Sequence, residues 1–362
     1  MINTESDAAP LYCLYGYDQQ VEQRWAQHLA DNPAQLSLAR VIADYGREYQ
    51  LVTANNTIAA QCPASLLTTA SRPVVGDWVG LAADTGTIKT LVSRRNQLSR
   101  QASGRSTSEQ VIAANVDRVL VVMAMDHDFN IARLERWLVL IRQSAAQPTV
   151  ILSKCDLSAA PDRQLAQVAR VVGEVPVILL SALSGEGIDQ LCATLCVGES
   201  VAMVGSSGVG KSTLANRLLG EALMATRAVR ESDSRGRHTT TYRQLLRLPG
   251  GALLIDGPGM REVQLWADEQ ALSNTFADIE AVAAACRFND CQHGNEPGCA
   301  VQKALASGQL DAGRLQRWRQ LADELAAHQR RRDVVAQRQY ERQQGRLYQQ
   351  IQSEKRRRKR RG

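Results

Sequence analysis

From about residue 110 to residue 257 the chain alternates between two patterns. Short, almost wholly apolar runs (DRVLVVMAM, PTVILSKCD, VPVILLSAL, SVAMVGSSG and GALLIDGPG) are separated by segments with apolar residues every three or four positions, such as ARLERWLVLIRQSA, DRQLAQVARVVGE and STLANRLLG. Continuous apolar strands spaced by amphipathic helices predict a parallel sheet covered on both faces. TTTYRQLLRL predicts one further strand. Upstream the rhythm shortens. ARVIADYG, YQLVTA, TIAAQC, VGDWVGLAAD and GTIKTLVSRR read as brief strands broken by turn residues, the mark of a small all-β barrel. An oligonucleotide-binding (OB) type barrel fits this length, and the pattern alone also allows an SH3-like one. VEQRWAQHLA predicts an amphipathic helix in the first 37 residues, and RRNQLSRQASGRSTS reads as a polar, basic linker or mobile loop. After about 265 the pattern is mainly helical, with GRLQRWRQLADELAAHQ as a capping helix.

A length of 362 residues exceeds one typical domain, so two or three are expected. No apolar run approaches the roughly 18 to 20 residues that span a bilayer. MINTESDAAP lacks a basic segment followed by an apolar one, so the cytoplasm is the expected compartment and no membrane partner is expected. Charge changes the picture more. The net charge is +6, yet Arg330 to Gly362 holds 13 Lys and Arg against 3 acids, which leaves the body near −4. A near-neutral body with a basic tail points to a polyanionic partner, RNA before membrane.

The run GSSGVGKSTL, Gly205 to Leu214, fits the phosphate-binding pattern G-x-x-x-x-G-K-[ST] between a predicted strand and helix. Its backbone N–H groups (Gly205, Ser206, Ser207, Gly208, Val209, Gly210, through to Thr213) and the helix N-terminus would cradle phosphates. Lys211 would contact the β- and γ-phosphates and Ser212 would ligate Mg²⁺. At the end of GALLID, Asp256 can hold Mg²⁺ through water, and Gly259 can offer its N–H to a γ-phosphate. In GRHTTT a threonine, Thr240 first and Thr239 second, could complete the metal shell. Ser153, Lys154 and Asp156 of SKCD form a guanine reader. The lysine stem would lie along the purine and Asp156 would accept from N1–H and the 2-amino group, an arrangement adenine lacks. Ser181 and Ala182 of SAL can offer backbone to guanine O6.

CRFNDCQHGNEPGC places Cys286, Cys291, His293 and Cys299 in a C-x₄-C-x-H-x₅-C spacing. Three thiolates and one imidazole suit one tetrahedral Zn²⁺ with no open position, a structural site. Clustering of this kind without an export signal favours metal over disulfides. The other five cysteines read as ordinary residues, with Cys192 and Cys196 in core packing. Trp78 of VGDWV reads as barrel packing rather than a base-stacking platform.

The order SKCD, SAL, GSSGVGKS, GRHTTT, DGPG is that of a small GTPase with its termini relocated. With VGDWV upstream and the cysteine cluster downstream, it resembles the circularly permuted ribosome small subunit-dependent GTPase A family (RsgA, also called YjeQ) over about residues 38 to 325. The resemblance implies a multidomain architecture. After the helical extension that the pattern places at 1–37, an OB-type β-barrel at 38–105 and a circularly permuted P-loop α/β GTPase domain at 106–268 are implied. A helical zinc-binding domain at 269–329 and a basic tail at 330–362 would follow. It further implies GTP/GDP with Mg²⁺ as ligand and the 30S subunit with its 16S rRNA as partner. GTP hydrolysis late in subunit maturation would be stimulated by the subunit and coupled to release, and a monomer is expected. Two departures stand out: Ser153 replaces the usual asparagine or threonine, which predicts weaker nucleotide binding, and Met260 replaces a water-orienting glutamine. A thioether cannot orient water, so intrinsic turnover should be slow, with His238 the nearest candidate to assist. Competing functions are a non-catalytic RNA-binding scaffold, disfavoured by Lys211, Ser212 and Asp256, and an ATPase or kinase, disfavoured by Lys154 and Asp156.

Overall fold

The computed structural model describes residues 9–32, 35–67, 72–82, 86–101, 109–220, 243–257, 269–288, 290–294, 296–327 and 330. The chain divides into two compact units, Met1–Trp266 and Ala267–Gly362.

In the first unit, β1 (Leu36–Asp44), β2 (Glu48–Val52), β3 (Thr57–Gln61), β4 (Trp78–Ala82) and β5 (Ile88–Leu91) pair antiparallel in the order β3-β2-β1-β4-β5. One side of β1 supplies Ala39 and Val41 to a core with Tyr49, Leu51, Val79 and Leu81. On its other side Leu38 packs with Val21 and Trp78 beneath α1 (Gln19–Asp31). Strand β1 is therefore buried on both faces and reads as an apolar run rather than an alternation. Trp78 is 1% exposed, flanked edge-on by Tyr12 and Tyr17 and covered by the Arg40 guanidinium at 5.2 Å, so it packs and offers no face to a base.

The VGDWV turn is built around a close approach and an ion pair. Gly76 has φ +92°, and a Cβ there would meet Ala114 O at 2.1 Å. Asp77, fully buried, accepts from Val74 N at 2.8 Å and takes both Nε and Nη2 of Arg94, at 2.8 and 2.7 Å. Removing one partner of a buried pair strands the other charge. An Asp77→Ala variant should therefore lose about 3–5 kcal/mol of unfolding free energy in urea titration; a loss below about 1 kcal/mol would show that water reaches Arg94 instead.

One sequence expectation fails here. Residues 97–101, read as linker, form β6 (Gln97–Gln101), paired antiparallel with β7 (Glu109–Ala114). Two contacts within the polar run explain it. Leu98 joins Ile112 in the core, and the Asn96 side chain bonds both N and O of Val116, at 2.8 and 2.7 Å.

Strands β8 (Arg118–Ala124), β9 (Gln147–Ser153), β10 (Val177–Leu180), β11 (Ser200–Val204), β12 (Arg243–Arg247) and β13 (Leu253–Asp256) follow in the order β10-β9-β8-β11-β13-β12. All pairings are parallel except β13 with β12. Through Ala43 opposite Gln244 and Asp44 opposite Arg243, β12 also pairs with β1, so the two systems share one sheet. Along β8, Val119, Val121 and Met123 face a core with Leu134 and Leu138 of α2 (Ile131–Gln143) and Val168 of α3 (Pro161–Val172). Leu120, Val122 and Ala124 face the opposite core with Leu191 of α4 (Ile188–Thr194) and Leu214 and Leu218 of α5, helical over 211–220. Among the described residues, the predicted ligand-carrying segments after β9, β10 and β11 and at the end of β13 then lie at strand carboxyl ends, the edge where open α/β sheets bind ligands. Cys192 and Cys196 do not pack in the core as expected; both are exposed, and Cys196 lies beyond the end of α4.

The second unit contains α6 (Glu269–Thr275), α7 (Ala277–Ala283), α8 (Ala300–Ala306) and α9, helical over 312–327. Arg314 on α9 pairs with Asp278 at 2.7 and 2.8 Å and covers the buried Phe276 ring at 4.8 Å. Among the described residues no helix is long and apolar enough to cross a membrane.

Candidate nucleotide site and metal centre

Between β11 and α5 the run Gly205–Gly210 turns with three left-handed glycines: Gly205 at φ +142°, Gly208 at +82° and Gly210 at +95°. At Gly205 the need is also steric, since a Cβ would meet Val122 O of β8 at 2.2 Å. Val209 is buried, Ser207 and Gly208 are exposed at the tip, and Ser212 and Thr213 are exposed on the first turn of α5. Lys211 folds its Nζ back over the loop, donating to Gly205 O at 2.5 Å and to Ser206 O. The lysine thus caps the concavity that phosphates would enter.

The predicted guanine-reading segment leaves β9 beside this loop. Ser153 is 4% exposed, and its Oγ donates to Val209 O at 2.6 Å. The hydroxyl that the sequence marks as a departure therefore ties the guanine segment to the phosphate loop. Lys154 takes the left-handed conformation (φ +57°), and its Nζ pairs with Asp126 Oδ2 at 2.8 Å. That hydrogen bond, followed by one from Asp128 N, holds the Asp126 carboxyl below its ordinary value. Asp156 is exposed in the short helical turn Cys155–Leu157. From β10, Ser181 is buried, with its N donating to Glu186 O at 3.0 Å and its Oγ accepting from Ser184 N at 3.3 Å. This turn leaves Ala182 partly exposed in the loop ahead of α4. Asp256 closes β13 opposite Gln244. His238, Thr239, Thr240, Gly259 and Met260 lie outside the described residues, as does the tail beyond 330.

Sequence reasoning missed the loop at residues 125–130, where Asp126 reaches Lys154 and Asp128 Oδ1 accepts from Arg133 Nη1 at 2.6 Å. Arg133 Nη1 also donates to Ser206 Oγ in the phosphate loop. The only signal was two acids, MDHD, directly after an apolar strand.

In the second unit, the ligand atoms of Cys286, Cys291, His293 and Cys299 lie within 4.8 Å of one another. Cys286 Sγ is 3.6 Å from His293 Nδ1 and 3.9 Å from Cys299 Sγ, which is 3.7 Å from the same nitrogen. A tetrahedron with metal–sulfur bonds near 2.3 Å and a metal–nitrogen bond near 2.0 Å has edges of about 3.6–3.8 Å, so the donor set fits zinc in size and chemistry. His293 is 6% exposed, sits at φ +58°, and is fixed by Gln302 Nε2 and Arg319 Nη2, each donating to its carbonyl at 2.5 Å. Burial raises the Cys286 thiol, but N–H groups of Val301 and Ala300 at the start of α8, with the neighbouring thiols, draw it below its ordinary value.

Comparison with known proteins meets this geometry. Residues 91–266 match the sequence profile described as RsgA GTPase, and residues 200–336 one described as 50S ribosome-binding GTPase. The small ribosomal subunit biogenesis GTPase RsgA of Opitutus terrae is 45% identical over 82% of this chain and 86% of its own length. That of Methanosarcina acetivorans is 46% identical over 73% and 72%, and the RsgA 2 protein of Vibrio parahaemolyticus 42% over 88% and 87%. Among solved structures, YjeQ from Thermotoga maritima superposes with a TM-score of 0.61 over 80% of this chain and 99% of that one, at 24% identity. YloQ, a circularly permuted GTPase, gives 0.59 over 81% and 96%, also at 24% identity. With the phosphate loop after β11 and the predicted guanine loop after β9 at the carboxyl edge of one sheet, in permuted order, and relatives this similar over most of its length, the chain belongs to the RsgA GTPase family and is a P-loop GTP hydrolase.

Proposed function

We propose that this protein is an assembly factor of the small ribosomal subunit. It binds the 30S particle through 16S rRNA late in maturation, hydrolyses GTP to GDP and phosphate when the subunit stimulates it, and is released as a result. The observation that carries this reading is the joining of the guanine segment to the phosphate loop through Ser153 and Val209. The names of the relatives extend it to the small subunit.

In this reading the phosphate loop, from Gly205 to Thr213, binds the phosphates through backbone N–H groups, and Lys211 swings from the loop carbonyls to the β- and γ-oxygens. Asp156 accepts N1–H and the 2-amino group of guanine, the Lys154 stem covers the purine face, and the backbone at Ser181 and Ala182 meets O6. Ser212, Asp256 and a threonine of the pair Thr239 and Thr240 would hold Mg²⁺, and Gly259 N–H would meet the γ-phosphate. Mg²⁺ supplies charge neutralisation on the β- and γ-oxygens. With Met260 unable to orient water, the subunit must complete the catalytic arrangement, and His238 is the residue on this chain placed by sequence to help. Zn²⁺ on Cys286, Cys291, His293 and Cys299 is structural.

The strand order β3-β2-β1-β4-β5 supports an OB-type barrel over 38–105, ahead of the GTPase domain at 106–268 and the zinc domain at 269–329. This barrel, the zinc domain and the basic tail are the rRNA-binding surfaces. The protein works as a monomer in the cytoplasm.

The test is phosphate release from GTP and from ATP, each with and without purified 30S subunits. Stimulation by 30S with GTP alone is expected; equal, slow turnover with and without subunits overturns the assembly role and leaves an RNA-binding scaffold. Guanine selection has its own check. A hydrogen bond to a charged acceptor is worth about 1.5–3 kcal/mol, so Asp156→Asn should weaken GDP binding about 10- to 150-fold. It should also raise affinity for xanthosine diphosphate, whose C2 oxygen matches the new amide donor. Unchanged GDP affinity would remove Asp156 from the site.

A further inference from the structure

The 125–130 loop and α2 belong to none of the nucleotide-binding motifs, yet they reach both loops of the site. Arg133 Nη1 lies between two acceptors, Asp128 Oδ1 at 2.6 Å and Ser206 Oγ. Its backbone is fixed as well, since Arg133 N donates to Asn130 Oδ1 at 3.0 Å in the N-cap of α2. The second oxygen of Asp128, Oδ2, is buried without a hydrogen-bond partner. The charged hydrogen bond to Oδ1 is thus the anchor that fixes the guanidinium.

The phosphate loop needs such a fixture. Its three left-handed glycines permit the turn but do not enforce it, because glycine gives up more backbone freedom on ordering than any other residue. Affinity for phosphate depends on the N–H groups being aimed before the ligand arrives. Ser206 is partly buried, and its side chain is a handle by which a neighbouring element can hold the first half of the loop. Its hydroxyl faces Arg133, so Ser206 offers phosphate its backbone.

We propose that Arg133 is a positioning residue of the nucleotide site: anchored by Asp128, it holds the phosphate loop in its binding geometry through Ser206. The inference rests on the GTPase reading above and adds to it a residue outside the phosphate and guanine motifs. It acts on nucleotide capture rather than on chemistry, which separates affinity from turnover.

The experiment is a double-mutant cycle on the full chain, with a fluorescent N-methylanthraniloyl-GDP probe for affinity and dissociation rate. Arg133→Ala should weaken binding and speed dissociation about tenfold, the equivalent of roughly 1.4 kcal/mol. Ser206→Ala should act in the same direction, and the double variant should be no worse than Arg133→Ala alone, because both remove one contact. Turnover at saturating GTP should fall less than about threefold, since the loss lies in binding. Melting curves control for folding; if Arg133→Ala is unstable, Arg133→Gln, which keeps a donor and drops the charge, is read in its place. Affinity within twofold of wild type, or effects that multiply in the double variant, overturns the role of Arg133 while leaving the GTPase reading intact. A wild-type chain that binds no guanine nucleotide overturns that reading and this inference together.

Discussion

A Lys211→Ala variant should turn over GTP at least about 10²–10³-fold more slowly than wild type, with or without small subunits, while melting at nearly the same temperature. The expectation comes from where the ammonium lies. Its contacts with the Gly205 and Ser206 carbonyls hold a positive charge over the mouth of the loop. Charge moves onto the β–γ bridging oxygen as the phosphoryl group leaves, and a preorganised cation there stabilises the transition state more than the ground state. Stability should change little, because Lys211 is at the first turn of α5, where alanine suits the helix. Phosphate release under saturating GTP decides it. Residual turnover within tenfold of wild type would place the catalytic charge elsewhere in the site.

Removing the metal should have the largest structural effect. Zinc held by three thiolates and an imidazole contributes about 10–16 kcal/mol to the folding of a small module. Among the described residues of the Ala267–Gly362 unit few apolar side chains are buried to replace that, chiefly Leu272, Phe276, Ile279, Val301, Leu310 and Leu315. A strong chelator should therefore collapse α7 and α8 and open residues 286–299 to proteases, while the Met1–Trp266 unit keeps its melting transition. Metal analysis should return one zinc per chain before treatment. Acid should act in the same direction. Metal is held by thiolates and a neutral imidazole, so protons compete with it and its contribution to folding is lost as pH falls. An unchanged circular dichroism spectrum and protease pattern after chelation would show that the cluster is not a metal-dependent fold.

Much of this was legible because the informative residues are neighbours in sequence. The phosphate loop, SKCD and the four metal ligands are local patterns, and the apolar runs of β8, β9 and β11 are continuous because alternate residues serve two cores. What escaped was non-local. Ser153 meets Val209 across 56 positions and Arg133 meets Ser206 across 73, so neither contact leaves a periodicity or spacing to read. A serine in place of asparagine looked like a loss because its partner could not be seen. Strand β6 is hidden because its core residue among those described, Leu98, sits in a run otherwise polar and basic. Cys192 and Cys196 differ the other way: their i, i+4 spacing predicts a buried face, but α4 ends before Cys196.

The strand order has a consequence for how the chain is made. As synthesis proceeds beyond β7, strands β8, β9 and β10 emerge before β11 and can pair, giving part of a sheet with the SKCD segment in place but with β8, central in the finished sheet, as an open edge. The strand that belongs on that edge, β11, arrives only at residue 200, and its other neighbour, β13, at residue 253. An unpaired central edge is a template for misassociation, and long-range pairing is slow to form. The permutation therefore leaves the nascent protein with its predicted base-reading segments built before β11, the strand that carries the phosphate loop, has left the ribosome.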